Sequence, residues 1–208
     1  MNLIIAAAVV FVLLVGCELW WRTRNLHTEF SRKFIHITVG SFVAFWPFFL
    51  SWNQIRLLGV AFLVVVAVSK YLGFFKAIHS VQRPTWGEVF FALAVGAVTF
   101  VTHDKYIYMA ALLQMSLADG MAAVVGVRYG RSQTYKVLGH IKSLAGSATF
   151  YVISVCILIA YMHFAGHYIP APKLVGLSLV ATVLENFGVA GLDNLLVPVV
   201  VAFGLTLL

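Results

Sequence analysis

An all-α bundle of seven or eight membrane-spanning helices is the fold this sequence predicts. Three observations carry that expectation. Hydrophobic residues make up 62% of the chain and charged residues only 10%, against about 25% charged in a soluble domain. The apolar residues fall in long runs joined by brief loops, and a bilayer core of about 30 Å needs helices of roughly 20 apolar residues. The basic residues alternate by loop, as they do when successive loops lie on opposite sides of a membrane.

The runs are 2–20, 34–51, 55–75, 88–102, 106–127, 144–163, 173–187 and 194–208. The fourth, seventh and eighth are short, which leaves seven spans open beside eight. Residues 2–17 are apolar, but no basic residue precedes them and Glu18 follows without a small-residue cleavage site. They read as a retained first span and not as a signal peptide. No repeat, long linker or low-complexity segment divides residues 1–208, so the expectation is a single integral membrane domain. Cys17 and Cys156 both lie in apolar runs and read as packing or lipid-facing residues.

The formal net charge is +7. Nucleic acid is excluded as a partner, because the basic residues sit between apolar runs and not on one polar face. Arg22, Arg24, Arg32 and Lys33 follow the first run, Lys70, Lys76 and Arg83 the third, and Arg128, Arg131, Lys136 and Lys142 the fifth. The alternate segments hold only Arg56, Lys105 and Lys173. The richer side should be cytoplasmic, with both termini outside. Trp20, Trp21, Trp46, Trp52 and Trp86 fall near run ends and read as interfacial anchors.

Seven acidic residues remain to be placed. Asp104 falls in an outer loop and reads as solvated. Glu29 lies four residues before Lys33, a spacing that suits a local helical pair. Glu88 opens the fourth run, where a carboxylate favours the helix N-terminus. Asp119 is different, because it lies inside the fifth run. A carboxylate at mid-membrane costs about 2.5–3.5 kcal/mol on insertion scales and marks a site more often than a structural contact. Around it Ala118, Ala122, Gly126 and Gly130 recur every fourth residue, a small-residue stripe that lets helices approach closely. Glu185, Asp193 and Asn194 flank a junction in which Gly188 and Gly191 predict a break between helices.

The topology therefore brings Asp119, Glu185 and Asp193 (with Glu18 as a fourth candidate) to the cytoplasmic half, beside Arg32, Lys33, Arg128, Arg131 and Lys142. Carboxylates can hold Mg²⁺, which binds through one or two carboxylates plus substrate phosphates, and the basic residues can neutralise those phosphates. This is the pattern of a nucleotide or pyrophosphate site, although neither GxxxxGK[ST] nor GxGxxG is present.

Three blocks of the sequence resemble the polyprenol kinase family, which includes dolichol, phytol and farnesol kinases and the CTP-dependent diacylglycerol kinase, and which is distantly similar to phosphatidate cytidylyltransferase. The first block is Arg32-Lys33-Phe-Ile-His36 to Gly40. The second is Asp119-Gly120 through Gly126-Val-Arg128-Tyr-Gly130-Arg131, then Lys142-Ser143-Leu-Ala-Gly146-Ser147. The third is Glu185 followed by Asp193-Asn194-Leu195, closed by Pro198. The chain departs from the family pattern in having Ala118 before the Asp and Ala145 in place of a Glu. The resemblance implies phosphoryl transfer from CTP, or another nucleoside triphosphate, to the hydroxyl of an isoprenoid alcohol or diacylglycerol. It implies Mg²⁺ held by Asp119, Asp193 and Glu185, with Glu185 as a further ligand or as base. Arg128, Arg131 and Lys142 would hold phosphates, Ser143, Gly146 and Asn194 would meet the nucleotide, and Arg32, Lys33 and His36 would close the site. Catalytic duty would fall on Asp119, Glu185, Asp193 and Lys142. The partners implied are the bilayer, the lipid alcohol and the nucleotide, with no oligomeric state specified. Two other readings stay open: a cytidylyltransferase acting on a lipid phosphate, and a small ion-coupled transporter, for which the expected inverted repeats are absent.

Overall fold

A computed structural model of the chain describes residues 3–24, 28–72 and 86–208, with side chains over 3–20, 32–68 and 86–208. Lys76 and Arg83 lie outside the described residues. The side chains of Trp21, Arg22, Arg24, Glu29 and Lys70, and with them the expected Glu29–Lys33 pair, lie outside the described side chains.

The described residues form an all-helical bundle with one small hairpin. The helices are α1 (Leu3–Arg24), α2 (Thr28–Ala44), α3 (Trp52–Leu72), α4 (Gly87–Val101), α5 (Lys105–Leu113), α6 (Asp119–Tyr129), α7 (Leu144–Ala165), α8 (Ala171–Phe187) and α9 (Asp193–Thr206). A π turn, Gln114–Ala118, joins α5 to α6, so the two form one rod over Lys105–Tyr129. Each rod falls on one of the apolar runs. Three are long and apolar enough to cross a membrane: Leu3–Trp20, Lys105–Tyr129 and Leu144–Ala165.

The rod of α5 and α6 is the centre. Over half of it, 56%, is buried, against 17% of α1. Around it pack α2, α7 and α9, while α1 rests on α2, α3 on α4, and α8 on α7 and α9. Outward faces are apolar. Val60, Val64 and Val68 on α3 are exposed at a spacing of four, and so are Val175, Leu179 and Val183 on α8. A helix at a water-facing surface would present charges there. Such exposed apolar stripes suit lipid tails, and this surface is that of a membrane protein.

Close packing at the centre rests on glycine. A Cβ on Gly40 of α2 would collide with the Ser116 side chain, one on Gly120 with Ile37, and one on Gly130 with Ser143. The stripe read from the sequence as a packing face is one, because Gly126 and Gly130 receive the start of α7.

Three local expectations are corrected. Residues 134–143 form a hairpin and not a bare loop: β1 (Thr134–Val137) pairs antiparallel with β2 (His140–Ser143). Leu138 and Gly139 turn it with φ of 46° and 82°, the two positive values of a type I′ turn, whose twist matches that of paired strands. Asp104 does not float in solvent, because its side chain caps α5 by accepting from the Tyr106 and Ile107 amides at 2.7 and 2.9 Å. Trp46 is no interfacial anchor. It is buried and meets Phe42 edge to face.

Replacing Gly40 by Ala should lower stability by about 1–3 kcal/mol, the usual cost of overpacking a filled core. A thermal unfolding midpoint in detergent, lower than that of the parent chain, would show it.

Candidate active site

Asp119 begins α6 directly after the π turn. A π turn inserts one residue into the helical repeat, which turns the following side chains and leaves a carbonyl out of register. That carbonyl finds a partner: His36 Nε2 donates to Met115 O at 2.9 Å. The same nitrogen lies 3.5 Å from Asp119 Oδ2. From the first turns of α2, Lys33 Nζ bonds both Asp119 oxygens, at 2.8 and 2.6 Å. The insertion cost of Asp119 is thus met by an ammonium and an imidazole from a neighbouring helix.

The hairpin supplies the next cation. Lys142 on β2 donates to Glu185 Oε1 at 2.5 Å and to the Glu185 carbonyl at 2.9 Å, where a positive charge also suits the C-terminal turn of α8. Burial disfavours the Lys142 ammonium, but the charge and hydrogen bond of Glu185 outweigh it, and the pKa is held above the ordinary lysine value. Tyr135 stands opposite Lys142 in the hairpin register. Its hydroxyl donates to Asn186 Oδ1 at 2.5 Å and lies equally close to Ser147 Oγ, which also reaches Asn186 Oδ1 at 2.9 Å. The hairpin is latched to Glu185 and Asn186 by adjacent bonds. Ser143 ends β2 and caps α7, its hydroxyl accepting from the Gly146 amide at 3.1 Å.

Asp193 begins α9 after a short loop in which Ala190 and Gly191 take φ of 54° and 90°. Gly188 leaves the room into which Asp193 folds, because a Cβ there would meet the Asp193 side chain. The loop is tied to the start of α4 by Trp86 N donating to Ala190 O at 2.9 Å and Asn194 Nδ2 donating to Gly87 O at 3.0 Å.

These elements bring one carboxylate oxygen from each of Asp119, Glu185 and Asp193 within 4.8 Å of one another. At that separation two unit charges repel by roughly 3–4 kcal/mol at an effective dielectric of about 20, so the trio calls for cations. A hard divalent ion fits the donors present. All three offer carboxylate oxygens, and Asp193 Oδ1 is buried without a hydrogen-bond partner. The trio lines a cavity of about 600 Å³ together with Arg32, Lys33, Arg131, Lys142, Ser143, Gly146 and Asn194.

Three sequence candidates stand elsewhere. Arg128 is exposed, with its guanidinium 5.5 Å from the Tyr129 ring, and it does not line the cavity. His36 touches Asp119 but lines a second, mostly apolar cavity that Asp119 itself does not line. Glu18 is buried on α1 and lines neither cavity. Sequence reasoning missed Thr134 and His140 and gave no role to Ser147, the last residue of the second block, yet all three line the large cavity. It also missed the latch through Tyr135 and Asn186. Two four-residue segments of alternating character, split by Leu138-Gly139, were the available signal for the hairpin.

Comparison with known proteins gives the family. The chain is 31% identical over 202 residues to a phytol kinase of Synechocystis sp., covering 93% of this chain and 85% of that one. It belongs to the polyprenol and phytol kinase family. A probable chloroplastic phytol kinase of Triticum aestivum is 30% identical over 200 residues, 84% of this chain and 66% of that one. No family model matches the chain, and no solved structure does. As a member of the family it is an enzyme, a transferase of the kinase class.

Lys142→Met should cost about 3–5 kcal/mol of stability, because it leaves the Glu185 carboxylate buried without its partner. Glu185→Gln added to it should recover much of that loss. A double-mutant cycle on thermal unfolding would check both, and simple additivity would show that the pair is not coupled.

Proposed function

We propose that this enzyme transfers the γ-phosphoryl group of CTP, or of another nucleoside triphosphate, to the hydroxyl of a membrane-borne alcohol. The acceptor class is an isoprenoid alcohol (polyprenol, dolichol, phytol or farnesol) or diacylglycerol, and the phytol kinases among its relatives favour the isoprenoid. The observation that carries this reading is the meeting of three carboxylates with two lysines at one end of the bundle.

Phosphoryl transfer asks for positioning and charge neutralisation more than for covalent chemistry. Asp119, Glu185 and Asp193 would hold Mg²⁺, which when bound neutralises phosphate oxygens. Arg131 and Lys142 would hold the phosphates from the hairpin side, and Arg32 and Lys33 from the start of α2. The first turn of α7, capped by Ser143 and opened by Gly146, presents amides that favour an anion. Glu185 would serve as a further ligand or take the hydroxyl proton. Asn194 keeps the Asp193 turn against α4. In this reading residues 1–208 are a single integral membrane domain that crosses the bilayer seven or eight times. The basic loops support a cavity open to the cytoplasmic side, from which the nucleotide would arrive.

The test is a product assay on purified protein in detergent, with Mg²⁺, γ-labelled CTP, ATP or UTP, and phytol, farnesol, a polyprenol or diacylglycerol. Label should appear in a lipid monophosphate with release of the nucleoside diphosphate. Asp119→Asn should reduce that rate by at least about a hundredfold, the scale for removing one group that stabilises transition-state charge. Pyrophosphate release with a lipid phosphate as acceptor would instead identify a cytidylyltransferase.

A further inference from the structure

The apolar cavity behind Asp119 has a use that the charged one cannot fill. It lies between the α1–α2 pair and the α3–α4 pair, which pack within themselves more than against each other. Its apolar walls include Leu14 of α1, Val39 of α2, Phe62 and Val66 of α3, and Phe91 of α4, and its polar lining is Arg32, His36, Glu88 and Asn194. The shape follows from two glycines. A Cβ on Gly59 would lie 3.4 Å from the Gly96 amide nitrogen, so α3 and α4 nearly touch there. Toward the site the gap is wide enough for Phe62 and Phe91 to meet edge to face at 5.6 Å between ring centroids. Phe91 in turn meets the His36 ring at 5.3 Å.

The cleft and the charged cavity are neighbours through shared walls. Arg32 and Asn194 line both, and His36 stands between them with Nε2 3.5 Å from Asp119 Oδ2. An alcohol whose hydroxyl reaches Asp119 must leave its hydrocarbon somewhere. The large cavity carries four cationic side chains and three carboxylates, which a hydrocarbon would strip of their solvation at high cost. The cleft beside His36 carries one carboxylate, Glu88, and one cation, Arg32, and most of its lining is apolar.

We infer that the cleft between the α1–α2 and α3–α4 pairs seats the hydrocarbon next to the hydroxyl of the acceptor, with Val39, Phe62, Val66 and Phe91 as its specificity-determining residues. The inference rests on the alcohol-kinase reading for the identity of its occupant. The enclosed space is small, about 60 Å³, so it takes only the first branched unit. The remainder of the chain runs out along the apolar faces of α1 and α3.

The experiment uses the full chain in phosphatidylcholine nanodiscs with a farnesol analogue carrying a diazirine on its first isoprene unit. Crosslinks mapped by mass spectrometry should fall on Leu14, Phe62, Val66 or Phe91, and unlabelled farnesol should displace them. Val66→Trp, which fills the cleft, should reduce labelling and raise the KM for the alcohol by about tenfold, the scale on which a pocket discriminates by a few carbons. The KM for the nucleotide should not move. Leu179→Trp, on the exposed face of α8, should change neither. Should Val66→Trp fail to fold, Phe62→Ala, at a partly exposed wall, should raise the alcohol KM severalfold with the nucleotide KM unmoved. Crosslinks confined to α7 or α8, equal displacement by excess phospholipid, or parallel changes in both KM values would overturn the inference. Absence of transfer from any nucleotide would defeat the kinase reading instead, and the crosslinking map would still decide the cleft.

Discussion

Everything at the centre of this molecule depends on the pairing of Lys33 with Asp119. A carboxylate in the interior of a membrane bundle is tolerated only with a partner, and this one has an ammonium on both oxygens. The pair fixes α2 against the central rod at the level where the π turn rotates Asp119 inward. From that point the remaining carboxylates can be gathered. Glu185 comes with its own lysine from the hairpin, and Asp193 comes without one. The provision of cations is thus unequal, and one carboxylate oxygen of the trio is buried without a partner.

The hairpin explains how so few polar residues suffice. Ten residues close a two-stranded turn, present Lys142 and Tyr135 side by side, and end in the serine that caps α7. One local structure thereby supplies a cation at the cavity wall, a latch to α8 and an open helix N-terminus. The loop before α9 does comparable work with backbone alone, because its left-handed residues and the absence of a side chain at Gly188 let Asp193 fold toward the trio.

Most of the helical framework was legible in the sequence, because burial in lipid demands long apolar runs and the runs mark the rods within a few residues. Asp119, Glu185 and Asp193 were legible for the complementary reason, since carboxylates stand out where nearly everything else is apolar. The direct bond of Lys33 to Asp119 was not, because the local spacing to Glu29 offered a nearer partner and only tertiary packing brings the distant one. Arg128 shows the reverse error. It shares the family-like block with Arg131, but the helix rotates it to the exposed side, over Tyr129. The hairpin escaped notice because its strands are only four residues each and Leu138-Gly139 is a weaker turn signal than Asn-Gly. Trp46 escaped because nearness to a run end says nothing about which way the ring points.

The separation of partners along the chain has a consequence for biosynthesis. Lys33 and Asp119 are 86 residues apart, Lys142 and Glu185 are 43 apart, and Asn194 bonds Gly87 across 107. Chains emerge from the ribosome N-terminus first and begin to fold in that order. The lysine–aspartate contact can form while the second half is still being made, which shelters the most costly charge early. The third carboxylate arrives only with the last helix. A nascent chain therefore passes through a stage that can hold the Lys33–Asp119 contact without the trio of acids, which is gathered only when α9 has entered the bundle.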